Sequence, residues 1–257
     1  MAELLVVPAL LAYGEAAVAY AGELRGLARA GRLGIWGVRV GWLAQTALLA
    51  VQALAGEGFP WATWAGALNL FVWLVVGVYL VWGCRPRYRL LGLALMPLAV
   101  ALLLTAWAGG GTGVDVATHP GVLLAAHAGL MLAGFAGLTV AGGMAALYLW
   151  EERRLKRRDA AVFRLRLPPL EALDRLSSRV ALVGLVLLGG GVAVGLTTLE
   201  RRDLDAAMGV TFGILVLYAS AAALRREGML HGRRSAWLQL VGLLLVAIVL
   251  PITHFAS

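Results

Sequence analysis

The sequence predicts an all-α fold: a polytopic membrane bundle of eight transmembrane helices, with both chain ends on the outer face. Three observations predict it. The composition is 61% hydrophobic and only 14% charged, with a mean hydropathy of +0.85, which suits a chain immersed in lipid. Apolar runs close to the ~20 residues that a bilayer core demands recur along the whole sequence. Lys and Arg, 22 in all, gather into clusters at Arg25–Arg39, Arg85–Arg89, Arg153–Arg179 and Arg225–Arg234, with Arg201 and Arg202 alone outside them. Basic residues collect in cytoplasmic loops, so the clusters mark the inner face. The net charge of +8 and the pI near 10.5 follow from that topology and are no footprint of nucleic acid.

The spans are expected at 4–23, 37–55, 62–83, 90–108, 120–150, 179–199, 205–224 and 236–255, within one transmembrane domain covering 1–257. In the first, Glu3 stands where a secretory signal would carry basic residues and no cleavage site follows, so this helix is expected to be retained. Glu15 falls at its middle, where a charge is costly; it is expected to be protonated or paired inside the bundle, with a proton relay as the alternative. The second span, flanked by Arg39 and Glu57, is with the fourth the shortest. After the third comes Cys84, in a basic cluster; as the only cysteine it excludes disulfides, Cys-x-x-Cys redox chemistry and covalent c-type heme attachment. After the fourth, Gly109–Gly113 has the composition of a phosphate loop but lacks the following Lys and faces outside, so no nucleotide is assigned.

The fifth run, Pro120 to Trp150, carries no charge. As a helix it would reach roughly 46 Å, beyond a hydrocarbon core of about 30 Å, so it must tilt or project. The one substantial soluble segment, 151–178, follows on the inner side. Its Arg run at 153–158 reads as a solvated face against anionic membrane lipid. Leu167, Leu170, Leu173 and Leu176, after Pro168-Pro169 and interleaved with Glu171, Asp174 and Arg175, predict a short amphipathic helix on the inner surface. Gly142-Gly143 and Gly189-Gly190-Gly191 read as close helix-packing contacts. The outer loops are 56–61, 109–119 and 200–204, holding Glu57, Asp115, Glu200 and Asp203.

Topology then sorts the four histidines. His119, His127 and His254 fall on the outer side, and His231, in His-Gly-Arg-Arg, on the inner. His127 lies about two turns into the fifth span and His254 at the outer end of the eighth. Two imidazoles from separate helices, facing each other across a dry cleft, can hold an iron porphyrin from both axial sides. The alternative is that each merely hydrogen-bonds a neighbour or anchors an interface. His119 is either bland or a substitute ligand. Trp61, Trp64 and Trp107 read first as an outer aromatic belt and second as walls for a porphyrin.

From His119 to Ser257 the chain resembles the cytochrome c assembly family of heme-handling membrane proteins, the group that includes CcsA, CcmC and the smaller HemX proteins. Three stretches carry the resemblance: HPGVLLAAHAGLMLAGFAGLTVAGGMAALYLWEERRLKRR, LPPLEALDRLSSRVALVGLVLLGGGVAVG and HGRRSAWLQLVGLLLV. The resemblance implies heme b, held non-covalently near the outer surface by two histidines on different helices. His127 matches the first of these by position, and His254 falls a few residues before the second. The family's Trp-rich heme-binding signature is missing: the matching stretch, GLTTLERRDLDAAMG, keeps an acidic residue at Asp205 with no Trp before it. That departure, the length and the four additional spans favour a HemX-like branch.

The function expected is heme handling (transport, storage or delivery) in a bacterial inner membrane, linked to heme synthesis or cytochrome assembly, with no chemical transformation assigned. His127 and His254 are the expected iron ligands, with His119 in reserve. Arg201 and Arg202, the only outer cations, suit the heme propionates. Two alternatives remain: a subunit of a cytochrome c heme lyase acting with other assembly proteins, or a regulator that touches an early heme-synthesis enzyme through 151–178. A solute transporter fits least, since few charged groups lie at mid-bilayer.

Overall fold

The computed structural model describes residues 2–27, 30–55, 63–83, 85–113, 121–158, 167–198 and 206–255; side chains at 2–3, 55, 198, 206–207, 246 and 248–255 lie outside the description. Among the described residues there is no strand. The α-helices are α1 (Val6–Leu24), α2 (Ala30–Ala55), α3 (Trp64–Gly83), α4 (Gly92–Ala108), α5 (Val122–Lys156), α6 (Leu170–Thr198), α7 (Ala206–Arg226) and α8 (Arg233–Phe255). Six of them, α2 to α7, are long and apolar enough to cross a membrane. α1 carries Glu15 and Glu23 within its 19 residues and is not among the six. The helices group into two compact units, α1–α4 and α5–α8.

In the first unit, glycines let α2 lie directly on α1. A Cβ at Gly37 would come within 2.8 Å of the Ala12 carbonyl, and one at Gly41 within 2.6 Å of the Tyr13 ring. The same small-residue face extends back to Gly34, against Tyr20. This is why α2 begins at Ala30, seven residues before the apolar run that predicts it. The residues 30–36 pack as helix although Arg32 makes them unattractive as membrane span.

The interior of this unit holds a chain of amides. The Tyr13 hydroxyl donates to Gln45 Oε1 at 2.8 Å, and Gln45 Nε2 donates to Asn69 Oδ1 at 2.8 Å and to the Asn69 carbonyl at 2.9 Å. Asn69 Nδ2 donates to Gln52 Oε1 at 3.3 Å, and Gln52 Nε2 donates to the carbonyls of Gly111 and Gly113 at 3.1 and 2.8 Å. All four side chains are buried. Beside them Trp42 stacks on Trp73, with ring centroids 5.1 Å apart. Glu15 turns away from this core: it is exposed on α1, and among the described residues it is not joined to the amide chain.

In the second unit, α5 packs most extensively on α6, again through glycine. A Cβ at Gly134 would approach Leu188 N at 2.8 Å, and one at Gly184 would approach the Gly134 carbonyl at 2.9 Å. α8 runs antiparallel along α5: Leu243 covers Gly142, and Ala236 clusters with Ala145 and Leu149. At its 35 residues α5 is roughly 52 Å long at 1.5 Å per residue, so the excess length expected from its charge-free run is present.

One expected element takes a different form. Residues 170–178 are not a separate helix lying on the inner surface; they are the first turns of α6, continuous to Thr198. Leu173 is fully buried, Ser177 hydrogen-bonds Gln239 of α8 and the Ala141 carbonyl of α5, and Arg225 of α7 grips both Asp174 oxygens at 3.1 and 2.8 Å. Pro168-Pro169 starts a helix readily, and nothing between 170 and 198 stops it. The leucine spacing was that of a packed helix face.

Candidate functional site

His127 sits in the second turn of α5, half-buried, with its ring against α6. Its Nδ1 lies 2.7 Å from the Gly191 carbonyl oxygen. A carbonyl can only accept, so Nδ1 carries the hydrogen and donates it. In the neutral ring this leaves Nε2 as the nitrogen with a free lone pair. The ring fits because α6 has no side chain in its way: a Cβ on Gly195 would meet His127 Cε1 and Nδ1 at 2.7 Å. One turn deeper, Met131 packs on Gly191. Gly191 and Gly195 thus form a cradle for the imidazole, and their spacing of four along α6 was the available sign of it.

The backbone of His254 lies in the last turn of α8. α5 and α8 meet in a steady antiparallel register, with Glu152 near Arg233, Leu149 near Ala236 and Gly142 against Leu243. The start of α5, with His127, and the last turn of α8, with residue 254, therefore point to the same end of the second unit. The side chain of His254 lies outside the described residues, as do His119, Trp61, Arg201, Arg202 and Asp205.

Trp64 and Trp107 belong to the first unit, at the start of α3 and the end of α4. Both are partly exposed, and the Trp64 ring covers Gly109. Partial exposure at a helix end is what a belt residue requires. His231 is distant from His127 along α6, in a basic pocket at the other end of the second unit. Gln45, Gln52 and Asn69 were not anticipated; two glutamines seven apart on one apolar helix were the sign. Among the described residues no cluster of three or more His, Cys, Asp or Glu side chains suits a metal ion.

An imidazole tied through Nδ1–H to a main-chain carbonyl is the usual arrangement of a metal-binding histidine, since that bond fixes the ring and raises the basicity of Nε2. His127 is tethered as a ligating imidazole would be. A family model described as cytochrome C assembly protein matches residues 61–255. No curated protein and no solved structure matches the chain.

Proposed function

Because the chain belongs to the cytochrome c assembly protein family, we propose that it handles heme b in the bacterial inner membrane as a HemX-like protein. Family membership and the apolar helices support a multi-pass membrane protein with a role in cytochrome c biogenesis. In this reading all eight helices span, the Arg clusters lie inside, and both chain ends and the heme lie near the outer face. His127 and His254 would hold the iron, with His119 in reserve, and Arg201 with Arg202 would meet the propionates. Heme would supply a redox-capable iron. The chain supplies a fixed ring at His127. Its task is to carry, store or deliver heme to assembly proteins or the heme-synthesis pathway.

The observation that carries the proposal is the His127 Nδ1–Gly191 bond, which presets the ring for ligation through Nε2. The deciding experiment compares absorption spectra of purified wild type, His127→Ala and His254→Ala, with and without added hemin. Wild type should show a Soret band of low-spin heme, and each variant should shift or lose it. A wild type that stays colourless with hemin, or spectra unchanged in both variants, overturns the assignment.

The family match also supports a second reading, a heme lyase subunit whose partner supplies the missing Trp-rich surface. Gene deletion separates the two: loss of holo-cytochrome c favours the lyase, altered heme or precursor levels the handling role. The regulator reading loses surface, because residues 170–178 are taken up in α6 packing.

A further inference from the structure

The end of the second unit remote from His127 holds a cavity of about 300 Å³ between α6, α7 and α8. Arg175, Arg179, Arg225, Arg226 and His231 line it, above aliphatic walls that include Leu182, Leu185 and Leu238. Two of these charges are answered: Arg225 by Asp174, and Arg175 by Glu171. Among the described residues no carboxylate pairs with Arg179 or Arg226. Cations this close at the mouth of an apolar cavity need an anion to offset their mutual repulsion.

The walls say what kind of anion. Leu182 leads to Val186 one turn on, which is 66% exposed, and then to Gly189, where an added Cβ would meet nothing within 4 Å. The basic mouth thus sits over the aliphatic side chains of Leu182, Leu185 and Leu238 and borders an exposed apolar stripe of α6. A small phosphate would use the mouth and leave those aliphatic walls uncovered.

We propose that this cavity is a binding site for an anionic glycerophospholipid, with its phosphate on Arg179, Arg226 and His231 and an acyl chain along Leu182 and Val186 of α6. The site is separate from the heme site and does not depend on it.

The test is native mass spectrometry of the delipidated full chain in detergent, titrated with phosphatidylglycerol or with phosphatidylcholine of the same acyl chains. Wild type should prefer phosphatidylglycerol, and Arg179→Gln/Arg226→Gln should lose about tenfold or more of that preference. The charge-matched pair Arg85→Gln/Arg87→Gln, in the other unit, should keep it. Leu182→Gln, which puts an amide on the aliphatic wall, should weaken both lipids. Equal binding of the two lipids by wild type overturns the proposal, and so does equal loss in both charge variants. Full displacement by soluble glycerol phosphate, with Leu182→Gln inert, would assign the cavity to a free phosphate compound and overturn the lipid. Circular dichroism of each variant checks that the helices persist.

Discussion

The imidazole of His127 is fastened to the main chain of Gly191, Nδ1 to carbonyl, at 2.7 Å. The bond is partly buried, joins α5 to α6, and fixes which nitrogen is left for a ligand.

Gly195→Ala tests that cradle. The new methyl would sit 2.7 Å from the ring, so the ring must turn and release Gly191. Hemin affinity should fall about tenfold or more, as for loss of an outer-shell partner, while helix content is retained. Hemin titration followed by absorbance measures it; an affinity equal to wild type would show that the ring's placement is irrelevant.

Gly184→Ala addresses the α5–α6 seam. Its Cβ would press on the Gly134 carbonyl at 2.9 Å, and separating the helices should cost about 1–3 kcal/mol. Gly189→Ala, in open space on the same helix, should be neutral or stabilise by up to about 1 kcal/mol. Reversible unfolding in mixed detergent compares the two. Equal effects would mean the seam does not depend on glycine.

Asn69→Ala removes the centre of the amide chain and leaves Gln45 and Gln52 short of partners in a dry interior. The expected loss is about 1–3 kcal/mol. Replacing Gln45, Gln52 and Asn69 together by Leu should destabilise less than the single change, because no buried group is then orphaned. The same unfolding assay decides, and an additive triple variant would contradict the network.

The Asp174–Arg225 pair joins α6 to α7 and is largely shielded from solvent, at 11% and 21% side-chain exposure. Asp174→Asn and Arg225→Gln should each destabilise by about 2 kcal/mol, and the double variant by clearly less than their sum. A double-mutant cycle with no coupling would make the contact incidental.

Much of this was legible in the chain. Apolar runs between Arg clusters gave the eight helices, but α2 begins seven residues and α6 nine residues earlier than expected, and α5 runs six residues past Trp150. Histidine placement gave the His127 candidate. What escaped was pairing. Nothing in α2 alone says that Gly34, Gly37 and Gly41 meet tyrosines and alanines of α1, so its first turns read as loop. Likewise the leucines at 170–176 have the same spacing whether a helix lies on lipid or packs on a neighbour; Asp174 and Ser177 found partners 51 and 62 residues away, on α7 and α8. Gly195 shows its role only once a ring from another helix lies over it.

The amide chain of the first unit also bears on how the protein is made. α2 leaves the ribosome before α3 and the turn at 109–113 exist, so Gln45 and Gln52 enter the bilayer without Asn69 or the two glycine carbonyls that later receive them. A nascent chain stopped after α2 therefore exposes the NH2 groups of both amides unmatched to lipid, a state that favours escort by the insertion machinery or removal by quality control. Completion of α4 ends that exposure, which makes the first four helices a natural checkpoint in biogenesis.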